Sequence, residues 1–452
     1  MDILWGLGGM AVLLGIAVAL SNARRAIRPR TVAAALALQL GFGVLVLYWE
    51  SGKWALDLAT RGVQAIIASS DEGISFVFGS ALPGEDGFVF AFQVLPVIIF
   101  FASLSAVLYH LGVLQRVVEI LGGGIRKLLG TGPAESVNAA ANIFVGQTEA
   151  PLVIRPYIDG LTSSGLFAVM VGGLSTVAGS VLVGYSMLGA PLEYLIAASF
   201  MAAPGALLMA KIIVPESDPE GVDDEFVPQV APAASGTRGD GGEADGGEAD
   251  GGEADGGEAR AAVGEQEDML SAAPDDSAKG GYRNIIDAAA GGAAEGLKLA
   301  LTIGAMLLAF ISLIALINLL IGLVGGWFGV GDLSFERILG YLFAPLMFVI
   351  GVPWAEAIEA GSFVGQKIVV NEFVAFADFA PQIDSFSPKA TAIITFALTG
   401  FANLGSLGIL LGGLGSLAPG RRPEIAALGL RAVAAATLAN LMSAAIAGIL
   451  IA

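Results

Sequence analysis

Long apolar runs without charged residues alternate with short polar loops along most of this chain. Because about 20 apolar residues cross the hydrocarbon core of a bilayer, runs of this length predict membrane-spanning helices. Residues 161–210 contain a single charged side chain, Glu193, and are long enough for two such helices. The first run lacks the basic start and the cleavage site of a signal peptide, so we interpret it as an anchor helix. The other runs, in chain order, are 3–22, 31–49, 87–115, 299–331, 390–420 and 432–452.

Basic residues in the loops predict how these helices are oriented. Lys and Arg in short loops are retained on the cytoplasmic side of a membrane. A cluster of four arginines follows the first run directly, so we expect the N-terminus outside. Arg421 and Arg422 precede the last run, which also places the C-terminus outside. The four arginines of the first loop are Arg24, Arg25, Arg28 and Arg30.

The composition supports a membrane protein and excludes several kinds of site. Hydrophobic residues make up 55% of the chain and charged residues only 14%, whereas soluble domains carry about 25% charged residues. The chain has no Cys and a single histidine, His110. Iron–sulfur clusters, thiolate nucleophiles and Cys- or His-based transition-metal sites are therefore excluded. We predict neither a soluble enzyme nor an organic cofactor.

The acidic residues are concentrated in one stretch between two hydrophobic halves. Residues 216–278 hold 19 of the 41 acidic residues and only 2 of the 22 basic ones, and the unit Asp-Gly-Gly-Glu-Ala occurs there four times in tandem. A segment with high like charge and few apolar residues cannot offset its ordering entropy. We predict that residues 216–280 form a solvated cytoplasmic linker, with a regulatory role as the alternative. This charge also argues against nucleic acid as a partner.

Two short segments place carboxylates in apolar surroundings. Residues 142–151 contain an amide, a glycine and the carboxylate Glu149, and Pro151 closes the segment. Glu372 lies in a second segment, 371–373. A charged side chain at mid-bilayer costs roughly 2.5–3.5 kcal/mol on insertion scales, so it normally faces a cavity or a partner. Broken backbone is tolerated in a membrane only where it lines a cavity or is buried in protein, which predicts a re-entrant hairpin at each segment.

Two of the long runs carry polar residues at their centres. Residues 176–181 combine hydroxyl groups with glycine, and residues 401–406 place Asn403 in the middle of an uncharged run. These positions predict helices that are interrupted in mid-membrane. For 176–181 taken alone, the alternative is close packing of helices through small residues.

The order of these four segments is repeated along the chain. Glu149 precedes Thr176 by 27 residues, and Glu372 precedes Asn403 by 31. Two interrupted units in corresponding positions of two halves point to the binding site of a secondary transporter. Free backbone carbonyls suit Na⁺, and carboxylates and amides suit a neutral ligand with hydroxyl groups or a heterocycle. We therefore expect both carboxylates to converge on one pocket.

Other interpretations of these residues stay open at this point. Glu149 with Arg155, and Glu372 with Lys367, could each form a plain buried ion pair. A channel is a second alternative, which hairpins with paired carboxylates do not favour. An intramembrane enzyme would need a catalytic pair such as Ser and His or two Asp, and the single histidine and the lack of Cys weaken that interpretation.

Five segments resemble, in order, the signature segments of the concentrative nucleoside transporters. They are 76–79 (Phe-Val-Phe-Gly), 145–149 (Val-Gly-Gln-Thr-Glu), 178–181 (Ala-Gly-Ser-Val), 371–375 (Asn-Glu-Phe-Val-Ala) and 401–406 (Phe-Ala-Asn-Leu-Gly-Ser). The resemblance covers nearly the whole chain apart from the acidic stretch. It implies a sodium-coupled nucleoside symporter of the plasma membrane, with a proton-coupled carrier on the same scaffold as the alternative.

The resemblance also implies roles for individual residues. The first hairpin would meet the nucleobase, the second hairpin and the broken helix after it would bind the ribose, and two apolar side chains would form a wall. Thr176 stands where many relatives have Ser, and Gly405 replaces a frequent Ser. The implied base-binding residues are Gly146, Gln147, Thr148 and Glu149; the ribose-binding residues are Glu372, Asn403 and Ser406; the wall is Val181 and Phe401; and the sodium ligands are Asn142, Val145, Thr176 and Val177.

By the same resemblance, the fold is an all-α polytopic membrane protein with inverted repeats. It would contain two re-entrant helical hairpins and two discontinuous transmembrane helices, divided between a scaffold and a moving transport domain, and it would assemble as a homotrimer in the lipid bilayer. The scaffold would comprise 1–110 and the long helix in 281–331. The two transport repeats would be 111–215 and 332–420, and 421–452 would form a C-terminal transmembrane helix.

Overall fold

The computed structural model describes residues 2–79, 82, 89–216, 282–327 and 333–451. Helices make up nearly all of these ranges, and no strand occurs within them. The predicted all-α polytopic membrane fold is confirmed. The predicted linker at 216–280 lies outside the described residues, apart from its first position.

Within the described ranges, six helices are long and apolar enough to cross a membrane. A seventh is added if two helices that meet at 118°, Phe335–Val349 and Trp354–Val369, are counted as one broken span. The first predicted run forms a shorter apolar helix, Ile3–Ala19. The six long spans are Pro29–Tyr48, Phe90–His110, Ser163–Leu188, Leu192–Ile213, Ile285–Val324 and Pro419–Leu450.

The first part of the chain contains a long helix that the apolar runs do not predict. This helix, α3, has 29 residues, and only four of them are buried. Its charged residues interrupt every apolar run, so the helix contains no uncharged stretch long enough to indicate a membrane span. An apolar stripe with a charged face is typical of a helix that lies along a membrane surface. The helices of this part are α1 (Asp2–Ala19), α2 (Pro29–Gly43, continued by a π-helical turn, Val44–Tyr48), α3 (Glu50–Phe78), α4 (Phe90–Gln93), α5 (Leu95–His110) and α6 (Val113–Leu129).

Two units with the same order of elements follow. Each has a helical hairpin with an irregular tip, then a helix interrupted near its middle, then a long continuous helix. The first unit comprises α7 (Pro133–Ala141), α8 (Ala150–Val153), α9 (Ser163–Ser175), α10 (Gly179–Leu188) and α11 (Leu192–Ile213). The second follows two further helices, α12 (Ile285–Trp327) and α13 (Phe335–Val349), and comprises α14 (Trp354–Val369), α15 (Glu372–Phe379), α16 (Pro388–Leu398), α17 (Leu404–Leu417) and α18 (Arg422–Leu450).

The interrupted helices end and restart at residues that satisfy the freed backbone groups. Thr176 follows α9, and its hydroxyl donates to the carbonyl of Gly172, 2.8 Å away. Thr399 follows α16 in the same way and donates to the carbonyl of Thr395 at 2.7 Å. Asn403 then caps α17, because its Oδ1 accepts the N–H of Ser406 at 2.6 Å. Both predicted interruptions are present, and small-residue packing alone does not describe 176–181.

The two units form the buried centre of the protein, whereas α12 lies at its surface. The most apolar stretch of the span that contains α9 is 94% buried, and that of α11 is also 94% buried. The corresponding stretch of α12 is 0% buried. Helix α12 has 43 residues and is therefore about 65 Å long, which exceeds the hydrocarbon core, so the helix must tilt or extend beyond the core. The two interruptions, at 176–178 and 399–403, are thus enclosed by protein, as broken backbone in a membrane requires.

Gly400, in the second interruption, is expected to be indispensable for folding. Its φ is +144°, and a Cβ there would lie 2.5 Å from Asn440 Oδ1 and 2.7 Å from the carbonyl oxygen of Ser175. Gly400→Ala should lower the free energy of unfolding by about 2 kcal/mol or more, seen as a lower melting temperature of the purified protein. Gly412→Ala is the matched control, because nothing lies within 4 Å of that Cβ position. Equal melting temperatures for the two variants would contradict this account.

Candidate functional site

The tip of the first hairpin is a compact turn that rests on the first interrupted helix. The N–H of Gly146 donates to Glu149 Oε2 at 3.2 Å, and the N–H of Glu149 returns to the carbonyl of Gly146 at 3.1 Å. The N–H of Gly179, the first residue of α10, donates to the carbonyl of Phe144 at 3.1 Å. Hairpin tip and helix interruption therefore satisfy each other's backbone.

The two interrupted helices also meet each other. The N–H of Phe401 donates to the carbonyl of Thr176 at 3.2 Å. One residue earlier, the carbonyl of Ser175 accepts the side-chain N–H of Asn440 at 2.7 Å. The interruptions of both units thus lie side by side at the centre of the protein, which the repeated order in the sequence predicts.

The tip of the second hairpin presents a fully engaged carboxylate. Glu372 is 4% exposed and begins α15. Its Oε1 accepts the hydroxyl of Tyr185 at 3.0 Å, and its Oε2 accepts the side-chain N–H of Asn403 at 2.7 Å. Asn371, before it, caps α15 by accepting the N–H of Val374 at 2.9 Å. The structure therefore brings Glu372, Asn403 and the backbone of Ser406 together, as the sequence predicts.

Tyr185 belongs to this cluster although the sequence analysis does not identify it. It is fully buried in α10, and its ring stacks on Phe376 at 4.5 Å and meets Phe373 edge-on at 4.7 Å. A phenol buried in mid-span needs a hydrogen-bond acceptor, which is the signal that could have indicated it. The distance in sequence between Tyr185 and Glu372, 187 positions, hides the pairing from any local pattern.

Neither of the two candidate ion pairs is found among the described residues. Glu372 binds a phenol and an amide as described above, and Lys367 donates to Ala397 and Asn440. Arg155 is exposed, and Glu149 accepts a backbone N–H of its own turn. The carboxylates are therefore not explained as halves of structural salt bridges.

Several oxygen atoms at the end of the first hairpin arm and in the first interruption have no hydrogen-bond partner among the described residues. Asn142 is fully buried, and its Nδ2 donates to the carbonyl of Asn138 at 2.9 Å, whereas its Oδ1 accepts nothing. In the described part of the chain, no backbone N–H donates to the carbonyls of Val145 or Val177. Gln147 is also buried, and its Oε1 is unpartnered. An orphaned amide oxygen beside free carbonyls and the hydroxyl of Thr176 is a set of hard oxygen donors that suits an alkali cation.

Glu149 and Thr148 occupy a different position from Glu372. Both are exposed at the first hairpin tip, and Thr148 lies against α17, where its Cγ2 is 3.2 Å from the position of a Cβ on Gly413. Gly413 follows Asn403 by ten residues, which is about 15 Å along the helix axis. Thr148 of the first tip and Asn403, the partner of Glu372, therefore lie about 15 Å apart along α17, and the two carboxylates share no hydrogen-bond partner in the described ranges. Their convergence on one pocket stays a prediction. Val181 is buried and Phe401 half-buried beside the two interruptions.

Comparison with known proteins identifies this arrangement. Family models described as the N-terminus and the C-terminus of Na⁺-dependent nucleoside transporters match residues 8–81 and 194–448, and one described as nucleoside recognition matches residues 91–192. The chain is 44% identical to the nucleoside permease NupC of Helicobacter pylori, over 99% of this chain and 98% of the permease. The chain belongs to the concentrative nucleoside transporter family. Its members are transporters, so the protein is not an enzyme.

Solved structures of this family share the fold along the whole chain. CNTnw in an inward-facing, substrate-bound state has a TM-score of 0.84 at 49% identity, covering 100% of this chain and 98% of that one. A doubly substituted variant of CNTnw in an outward-facing state also has a TM-score of 0.84, at 48% identity and with the same coverage. This nucleoside transporter therefore has the same arrangement of helices as a relative seen in two conformations.

Tyr185→Phe is expected to weaken nucleoside binding without unfolding the site. The ring contacts with Phe373 and Phe376 remain, and only the donor to Glu372 is lost. A buried hydrogen bond of this kind contributes about 1–2 kcal/mol, so the KM for nucleoside uptake should rise about 5- to 30-fold. Tyr194→Phe, which removes a half-buried hydroxyl from α11, serves as the control. A KM equal in both variants would remove Tyr185 from the binding site.

Proposed function

We propose that the protein is a sodium-coupled symporter that imports nucleosides, such as uridine, across the plasma membrane. The observation that carries this proposal is the cluster of Glu372, Tyr185 and Asn403 beside an orphaned, buried Asn142 Oδ1. The carboxylate and amide suit vicinal hydroxyl groups, and the orphaned oxygen suits a cation. Membership of a family described as Na⁺-dependent supports the same conclusion.

Nucleoside would bind between the two hairpin tips. The unpartnered amide oxygen of Gln147 and the exposed side chains of Thr148 and Glu149 suit the donors and acceptors of a base. The level difference of about 15 Å along α17 leaves room for a ligand with two chemically different ends. We assign Gly146, Gln147, Thr148 and Glu149 to the base, Glu372, Asn403 and Ser406 to the ribose, and Val181 and Phe401 to the apolar wall.

Sodium would be held by Asn142 Oδ1, the hydroxyl and carbonyl of Thr176, and the carbonyls of Val145 and Val177. These groups come from the first hairpin and from the first interrupted helix, so a bound cation would fix one against the other. Phe401 donates to the carbonyl of Thr176, so a bound cation would also help to fix the second interruption, where the ribose would bind. Each inward positive charge also gains about 2.3 kcal/mol per 100 mV of membrane potential.

Movement of the buried units against the surface helices would carry the site across the membrane in an elevator-type alternation. The transport domain would comprise 111–215 and 332–420, and the scaffold would comprise 1–110 and the described part of 281–331, with the helix in 421–452 packed beside the site. The exposure of α12 and the two conformations seen for CNTnw support this division. By the family resemblance, the scaffold would assemble as a homotrimer. The arginines after α1 favour an N-terminus outside, and Arg421 and Arg422, before the last apolar run, favour a C-terminus outside.

Uptake into proteoliposomes tests this function directly. Radiolabelled uridine and adenosine should accumulate when an inward Na⁺ gradient is imposed and should not accumulate in Na⁺-free buffer at the same pH. Glu372→Gln and Glu149→Gln should each abolish accumulation, whereas Glu193→Gln, at an exposed position of α11, should not. Accumulation in Na⁺-free buffer at low pH would instead establish proton coupling, and normal uptake by both site variants would refute the assigned roles.

Asn142→Ser is expected to weaken the response of uptake to sodium. The shorter side chain withdraws the amide oxygen from the cation, which should raise the half-saturating Na⁺ concentration at least about fivefold. The measurement is initial uptake rate against Na⁺ concentration at a fixed nucleoside concentration. Asn318→Ser is the control, because Asn318 binds Glu336 between α12 and α13 and is not one of the assigned sodium ligands. An unchanged sodium curve would exclude Asn142 from the ion site.

A further inference from the structure

A buried lysine in the second hairpin has no role in the function proposed above. Lys367 lies in the last turn of α14 and is 1% exposed. No carboxylate lies within ion-pair distance of it among the described residues. A buried ammonium without a carboxylate is costly to maintain, so its hydrogen-bond partners should explain its presence.

The ammonium of Lys367 binds oxygen atoms at the ends of two half-helices. Its Nζ donates to the carbonyl of Ala397 at 2.8 Å and to Asn440 Oδ1 at 2.8 Å. Asn440 in turn donates from Nδ2 to the carbonyl of Ser175 at 2.7 Å. Ala397 lies in the last turn of α16, and Ser175 is the last residue of α9. One cation therefore serves, directly or through one amide, the C-terminal ends of both interrupted helices.

The positive charge of Lys367 lies at the negative ends of two helix dipoles. The C-terminus of a helix carries the equivalent of about half a negative charge, and two such ends face the same dry region here. Water is not available at this depth to solvate the free carbonyls, so an internal positive charge stabilises them. The same charge helps to fix the conformation of the two interruptions, because they lie immediately beyond these helix ends.

The position of Lys367 in the second unit corresponds to that of the oxygen donors in the first. Thr176 and Thr399 end α9 and α16 with the same hydroxyl-to-carbonyl bond. In the first unit, Asn142 lies at the end of α7, the first arm of the hairpin. In the second unit, Lys367 lies at the end of α14, which is the corresponding arm. The first unit thus offers oxygen atoms for a cation, whereas the second supplies the cation as a side chain.

We propose that Lys367 is a built-in cation that takes, in the second unit, the place that sodium takes in the first. It is a positioning residue: it holds the second interruption so that Asn403 and Glu372 face the nucleoside, and Asn440 links it to the residue before Thr176. The sodium half of this comparison rests on the proposed function. The role of the ammonium in ordering the nucleoside site is tested on its own.

Lys367→Met should separate nucleoside affinity from stability. Met fills the same space without charge. The removed desolvation penalty of the ammonium offsets part of the cost of leaving Asn440 Oδ1 and the carbonyl of Ala397 without this donor, so the variant should fold with a moderately lower melting temperature. At saturating Na⁺, the Kd of purified protein for uridine should rise at least about tenfold. In Lys367→Ala, propylammonium should restore affinity saturably, whereas propan-1-ol, which has the same shape without the charge, should not.

Lys211→Met is the matched control, because this second buried lysine pairs with Glu135 at 2.7 Å and lies away from the interruptions. It should lower the melting temperature and leave the Kd for uridine unchanged. Wild-type affinity in Lys367→Met, failure of that variant to fold, or equal responses to amine and alcohol would each overturn the role of Lys367. Absence of uridine binding by the wild-type protein would refute the proposed function instead.

Discussion

Broken backbone inside a lipid bilayer must find its hydrogen bonds within the protein, and this constraint organises the centre of the molecule. Each interruption is satisfied by an element from elsewhere: the N–H of Gly179 by the first hairpin at Phe144, and the carbonyl of Thr176 by Phe401 of the other unit. Asn440 of the last helix completes the set at Ser175. No part of the site can therefore form alone, and the two units must fold together.

The sequence predicts those features that are anomalous where they stand. A carboxylate or an amide inside a long apolar run, such as Glu149 or Asn403, is costly unless it has a partner or faces a cavity. Because such segments recur in the same order, both interruptions and both hairpins were predictable from local pattern. Helix α3 was not, because its charges interrupt the apolar runs on which the search for spans depends. Uncharged runs indicate only those membrane helices that have no charged face.

Hydrogen bonds between residues that are distant in sequence could not be predicted either. Tyr185 reaches Glu372 across 187 positions, and Asn440 reaches Lys367 across 73. The sequence analysis considered an ion pair between Lys367 and Glu372, because five positions on a hairpin bring two charges near each other. The structure gives each of them other partners, since rigid helices on both sides present a phenol, an amide and a carbonyl at better geometry. Proximity in sequence therefore indicates which residues can lie near each other, but not which of them are bonded.

The two hairpins are alike in order and unlike in how completely their polar groups are satisfied. In the second, both oxygens of Glu372 and the ammonium of Lys367 are hydrogen-bonded within the protein. In the first, Asn142 Oδ1, Gln147 Oε1 and the side chain of Asn138 are buried without partners. A buried polar group without a partner costs about 1–3 kcal/mol, so these groups are candidates for contacts with a bound cation or substrate. The unpartnered buried oxygens of the first hairpin are suited to bind a cation, whereas the carboxylate of Glu372, held by Tyr185 and Asn403, is suited to meet a hydroxyl-bearing ligand in a fixed orientation.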